Sequence, residues 1–293
     1  MSIVLAVLQV IAPVFVLAAI GFAWVKLGFE YKLQFVTRLT MTLGVPCLIF
    51  VSLMQTKIEP AALSGLVLAT VAAYGALSIV AFVLIKLAGL NVRTFLAPLI
   101  FGNTGNLGLP LSLFAFGEVG LGYAVVIFAI MAVYSFTFGA WLVAGGGFSF
   151  KFMKEPIVGA TLLGALFMVN GWQTPTWITN TLELIGQMAI PLMLITLGVA
   201  VARLRLTGFG QAMVLSVLKV VISIFVAWAI GIWFGLSAIP MAVLVLQIST
   251  PVAVTSYLLA EKYKADAESV AALVVVSTLV SVIAIPITLA FFL

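Results

Sequence analysis

Apolar residues come in long unbroken blocks along this chain, without the period of two that marks a half-buried strand. The blocks cover 3–25, 33–54, 63–87, 92–115, 119–144, 156–172, 179–202, 211–234, 238–260 and 267–292. A helix needs about 20 apolar residues to cross roughly 30 Å of hydrocarbon, so the pattern predicts an all-α polytopic membrane protein with ten transmembrane helices. Two blocks are interrupted by polar, glycine- and proline-bearing stretches, Gly102-Asn103-Thr104-Gly105-Asn106-Leu107-Gly108-Leu109-Pro110 in the fourth and Gln247-Ile248-Ser249-Thr250-Pro251 in the ninth. Hydrocarbon supplies no water to backbone groups freed by such a break, so protein or a water-lined cavity must satisfy them. Paired interruptions at corresponding places in two halves point to a transporter binding site.

Composition agrees: 65% hydrophobic residues, 7% charged residues and a mean hydropathy of +1.37 exclude a soluble globule. The basic residues then fix a topology. Alternate loops carry Lys26 and Lys32, Lys86 and Arg93, Lys151 and Lys154, Arg203 and Arg205, and Lys262 and Lys264, whereas the other set carries Lys57 alone. Positive residues collect in cytoplasmic loops, so these five loops are expected inside and both termini outside. The net charge of +5 is thereby a topology signal and implies no nucleic-acid partner. The first block lacks a basic leader and exceeds a signal-peptide core in length, which predicts a retained helix. Cys47, the single cysteine, excludes an intramolecular disulfide and reads as a small core residue.

Five spans per half means that the second half enters the membrane in the opposite sense, so any repeat between the halves is inverted. An offset of about 145 residues aligns Val45-Pro46-Cys47-Leu48-Ile49 with Ile190-Pro191-Leu192-Met193-Leu194, Leu77-Ser78-Ile79 with Ile222-Ser223-Ile224, and Thr104 with Thr250. The expected organisation is a first repeat over 1–144, a linker over 145–155 that contains Gly145-Gly146-Gly147, and a second repeat over 156–293.

If the two broken spans cross at mid-membrane, two half-helix N-termini converge there, each with unpaired N–H donors and about half a positive charge. Such a point attracts an anion. The neutral side chains on offer are Asn103, Thr104, Asn106, Gln247, Ser249, Thr250, Thr255 and Ser256. Gly105 and Gly108 allow close backbone approach, and Pro110 and Pro251 start or interrupt a half-helix without wasting a donor. The competing reading is that these groups satisfy one another across a helix crossing. Ionisable residues inside spans are few, and each is a functional candidate by its cost. Arg38 and Glu183 each precede a matched proline by eight positions, which predicts opposite membrane faces: a snorkelling or rim role for Arg38, and proton coupling or a headgroup position for Glu183. Lys219 lies about 12 Å into its span and is either a positive charge for the anion or an interfacial residue.

Absences narrow the chemistry. The sequence has no histidine, and its sole aspartate is Asp266, in a charged loop. No Ser-His triad, histidine relay or two-aspartate site can be assembled, and the pattern calls for no enzyme activity, metal or cofactor. A phosphate-binding Walker loop is not present in the sequence, so energy must come from gradients: membrane potential, protons or sodium.

The Gly102–Pro110 stretch, with Ser249-Thr250-Pro251-Val252-Ala253-Val254 and Tyr257-Leu258-Leu259-Ala260-Glu261-Lys262-Tyr263, resembles the bacterial branch of the auxin efflux carrier family, and the likeness extends over essentially the whole chain. The resemblance implies a ten-helix inverted-repeat fold akin to sodium/proton antiporters and bile-acid transporters, with crossed broken helices 4 and 9. Spans 1, 2, 6 and 7 would form a scaffold, usually homodimeric, and spans 3–5 and 8–10 a transport domain moving by elevator-like alternating access in a bacterial inner (plasma) membrane. Family members move organic anions, auxin in plants and small carboxylates such as malonate or malate in bacteria. The family's crossover asparagine maps onto Asn103 or Asn106. Ser249-Thr250 replaces the second asparagine of the plant carriers, and their long central loop is missing, which argues against auxin as substrate. Three functions stay open: a secondary carrier of a small mono- or dicarboxylate, a bile-acid-like sodium-coupled symporter, and an anion channel or sensor.

Overall fold

The computed structural model describes residues 3–55, 60–145, 156–203 and 208–293. Lys57, Gly146, Gly147, Lys151, Lys154 and Arg205, and with them nearly all of the expected linker, lie outside the described residues. The described residues are almost entirely helical: α1 (Ile3–Lys26), α2 (Leu33–Leu39), α3 (Val45–Gln55), α4 (Pro60–Leu87), α5 (Val92–Ile100), α6 (Leu109–Tyr134), α7 (Ala140–Ala144), α8 (Pro156–Asn170), α9 (Thr176–Gln187), α10 (Ala189–Arg203), α11 (Phe209–Trp233), α12 (Ala238–Ile248), α13 (Val254–Lys262) and α14 (Ala267–Ala290). They assemble the all-α, multi-pass membrane architecture expected from the apolar blocks.

The irregularities follow from particular residues. Pro46 and Pro191 cannot donate to the carbonyls four residues earlier. The second span accordingly widens into a π-helical turn at Thr40–Gly44, and the seventh breaks between α9 and α10. These bends meet, because a Cβ on Gly44 would lie 3.3 Å from that of Ala189, its counterpart at the 145-residue offset. In α6, Gly117 takes φ 63° and ψ −158°, and the chain reverses. A Cβ on Gly120 would sit 2.7 Å from the Ser112 carbonyl oxygen, although eight residues of straight helix would separate them by about 12 Å. α6 therefore supplies the end of the fourth span and most of the fifth.

Packing obeys the inverted symmetry. α1 lies along α10, span 1 against span 7, and α3 lies along α8, span 2 against span 6; these are the two most extensive helix pairs. Gly21 and Gly198 bring α1 and α10 into backbone contact at Ile195 and Ala18. α1, α3 and α8–α10 form one packing group. The other contains α4–α7 and α11–α14, in which α4 packs on α5 as α11 does on α12. Arg93 ties the second group at one end, donating from Nε to the Val143 carbonyl at 2.6 Å and from Nη2 to the Tyr263 carbonyl at 2.7 Å.

Candidate functional site

The two broken spans meet backbone to backbone. Gly102 and Val252 form an isolated antiparallel bridge, in which the Asn103 N–H donates to the Pro251 carbonyl at 2.7 Å and the Ala253 N–H to the Phe101 carbonyl at 3.4 Å. Each extended segment thus satisfies part of the other's freed backbone. Gly102 and Gly108 make the approach possible: a Cβ on the first would collide with Thr250, and one on the second with the Gln247 side-chain amide. Four half-helix ends converge here, the C-termini of α5 and α12 and the N-termini of α13 and of the π-helical turn Thr104–Gly108 that leads into α6.

Gln247, Thr250, Thr104, Ser249 and Asn103 are all buried and knit the crossing together. Thr250 Oγ1 donates to the Gln247 carbonyl at 2.7 Å, Ser249 Oγ to the Leu246 carbonyl at 3.2 Å, and Gln247 Nε2 to Ser112 Oγ at 3.4 Å. Ser277, on α14, accepts the Val252 N–H at 3.0 Å. Asn103 Nδ2, Thr104 Oγ1 and Gln247 Oε1 have no hydrogen-bond partner among the described residues, a debt of about 1–3 kcal/mol for each buried group. Lys219 reaches in from α11, only 2% exposed, and its Nζ donates to the Thr250 carbonyl at 2.8 Å.

A cavity of about 1120 Å³ opens beside the crossing, between α2 and α10 on one wall and α13 on the other. Asn106 and Thr255 line it, three residues beyond Asn103 and Val252 and in the first turns of the two half-helices. N–H groups in such turns have no intrahelical acceptor and carry the positive end of the helix dipole. Arg38, Arg203 and Lys32 also line the cavity, against the single acid Glu261. Lys32 is in part matched by Glu30, at 3.8 Å across an exposed pair. Arg203 Nη2 donates to the Tyr31 carbonyl at 2.5 Å, and the Tyr31 and Thr196 hydroxyls share a 2.8 Å hydrogen bond, which straps the segment between α1 and α2 onto α10.

Of the residues singled out from sequence, the structure places Asn103, Thr104, Gly105, Ser249, Thr250, Pro251, Gln247 and Lys219 in the buried crossing, and Asn106, Thr255 and Arg38 on the cavity. Glu183 joins neither. It accepts from Gln55 Nε2 at 2.5 Å, at the far end of α3 from Arg38. Sequence reasoning passed over Arg203, Tyr31 and Thr196, and the buried Ser112 and Ser277. Ser277 and Ser281 carry a signal, being buried hydroxyls one turn apart on one face of an apolar span.

Two segments, residues 6–155 and 148–289, match the family described as membrane transport protein. A protein of Methanothermobacter thermautotrophicus described as an uncharacterized transporter is 29% identical over 95% of this chain and 96% of its own length. Another uncharacterized transporter, from Methanocaldococcus jannaschii, is 24% identical over 68% of this chain and 67% of its own. With a match over nearly its whole length, this multi-pass chain belongs to the membrane transport protein family, that of the auxin efflux carriers.

Proposed function

We propose that the protein is a secondary carrier of small organic anions, mono- or dicarboxylates of the size of malonate or malate. The observation that carries this reading is the cavity: Arg38, Arg203 and Lys32 line it together with Asn106 and Thr255 in the first turns of two converging half-helices. The basic residues raise the local concentration of anions, and the half-helix ends offer neutral donors and dipole ends, which hold a carboxylate without the tight clamp that would slow its release. Asn106 and Thr255 contact the anion in this reading. Asn103, whose amide nitrogen lacks a partner among the described residues, stands behind them, and Thr250 and Gln247 hold the crossing in shape.

In this reading the two packing groups provide alternating access. α1–α3 and α8–α10 serve as scaffold, paired with a second copy in the membrane, and α4–α7 and α11–α14 move as the transport unit in an elevator-like stroke. The cavity lies on the seam between them and opens toward the basic, cytoplasmic face. The test is counterflow of labelled malonate and malate in proteoliposomes, with Asn106→Ala in parallel. Saturable exchange that the variant weakens by about tenfold, the worth of one good hydrogen bond to a charged group, is expected. An Asn106→Ala protein exchanging like the parent removes Asn106 from the binding site, and no exchange of any carboxylate refutes the substrate class.

A further inference from the structure

We infer that the Lys219 ammonium is a resident cation built into the crossing, standing where a broken-helix carrier would hold a coupling cation, so that anion transport by this chain runs without sodium. The inference rests on the carrier reading for its transport assay, and on an independent observation for its content. Unwound backbone carbonyls and half-helix C-termini are the groups that coordinate a coupling cation in broken-helix transporters. Here the carbonyl of Thr250, just past the C-terminus of α12, already accepts from Lys219 Nζ at 2.8 Å. An ammonium also supplies the positive charge that this helix end favours.

Among the described residues the charge has no acidic counterpart in the interior. Among the described residues Lys219 is the one buried charged side chain, and Glu30, Glu118, Glu183, Glu261, Asp266 and Glu268 all lie outside the buried set. Charge so deep in a span is costly and faces the bundle interior when it persists. What surrounds Lys219 on α11 fits a cation as well. Ser216 and Ser223, three residues before and four after, share its face of the helix. Both hydroxyl oxygens are fully buried and lack partners among the described residues. They make the surroundings of Lys219 on α11 polar, and the Thr250 carbonyl is the oxygen that holds its ammonium.

The experiment compares wild type, Lys219→Ala and Lys219→Arg in proteoliposomes, with labelled malonate as probe and either sodium, methylammonium or the bulky N-methylglucamine as the cation. Wild-type exchange is expected to be the same in all three. Lys219→Ala is expected to lose about tenfold or more in N-methylglucamine, since a charge-assisted hydrogen bond is removed, and to recover toward wild type in sodium or methylammonium. Lys219→Arg is expected to keep exchange without a small cation. A wild type that needs sodium overturns the inference, as does a Lys219→Ala protein active in N-methylglucamine. A loss that neither small cation repairs, with the arginine variant equally inactive, overturns it in favour of packing alone. Thermal melting of the same purified proteins in the same cations, without substrate, keeps the two readings apart. If no carboxylate is exchanged the carrier reading fails by itself, and sodium or methylammonium must still raise the melting temperature of Lys219→Ala and leave wild type unmoved.

Discussion

A single methyl group at Gly102 tests whether the crossing is the rigid element it is taken to be. In Gly102→Ala the new Cβ would collide with Thr250 Oγ1 and lie 3.0 Å from the Thr250 carbonyl oxygen and 3.4 Å from its Cβ. Thr250 cannot turn aside freely. Its Oγ1 donates to the Gln247 carbonyl at 2.7 Å, and its carbonyl accepts from Lys219 at 2.8 Å. Overpacking of a tight interior costs about 1–3 kcal/mol. If the segments part as well, the 2.7 Å bond from the Asn103 N–H to the Pro251 carbonyl goes, at about 1 kcal/mol. A total of about 2–4 kcal/mol corresponds to a fall in Tm of about 4–8 °C, at about 2 °C per kcal/mol for a chain of this size. Thr250→Ala removes the colliding hydroxyl, so Gly102→Ala should cost about 1–2 kcal/mol less in that background. Melting of the two single variants and the double variant measures this. Strict additivity, or a Gly102→Ala protein melting with wild type, would show that the close approach at the bridge is wrong.

The remaining predictions separate cavity from scaffold. Arg38→Gln should raise KM for dicarboxylates more than for monocarboxylates and leave the melting temperature unchanged, because Arg38 is exposed on the cavity wall; equal effects on both substrates in uptake assays would deny it a role in charge recognition. Glu183→Gln should leave the pH profile of uptake unshifted, since its carboxylate faces Gln55 away from the cavity, and a shifted profile would return it to proton coupling. Asp266 caps α14 through Ser269, whose hydrogen bonds hold its carboxyl below the ordinary value of 3.8. Its contribution is therefore complete above that value and is lost as pH falls through the depressed one. Asp266→Ala should cost about 1 kcal/mol at pH 7 and cost less below pH 3.8, as melting at the two pH values would show.

The spans and breaks were legible in the sequence because hydrophobic length and the polar, proline-bearing composition of a break are local properties. The matched prolines Pro46 and Pro191 were legible for the same reason, and they do mark bends that touch. What could not be read was which polar group faces water. Asn103 and Asn106 were equal candidates for the family's asparagine, yet only three residues separate a buried amide from one on the cavity. Three residues turn a helix by most of a revolution, and the π-helical turn shifts that phase further. The partner of Lys219 was hidden for another reason: a backbone carbonyl 31 residues away has no signature in residue type. Arg203 and Tyr31 escaped notice because basic loop residues are explained by topology alone, and the cavity wall they form exists only once α2 stands beside α10.

The division of the cavity between two packing groups has an electrostatic consequence for the proposed cycle. Arg38 and Arg203 sit on α2 and α10, within the proposed scaffold, whereas Asn106, Thr255 and Lys219 belong to the group that moves. An anion drawn in by the arginines leaves them behind once the crossing shifts, and the net charge that travels with it is that of Lys219, because the two half-helix N-termini at the crossing are offset by the two C-termini. A monoanion then crosses in a unit close to neutral, whereas a dianion crosses with about one uncompensated negative charge, worth about 2.3 kcal/mol per 100 mV of membrane potential. Exchange of a monocarboxylate for itself should be indifferent to an imposed potential. Exchange of a dicarboxylate for itself should slow under the same potential, and a monocarboxylate exchange that slows as well would mean that the lysine does not ride with the substrate.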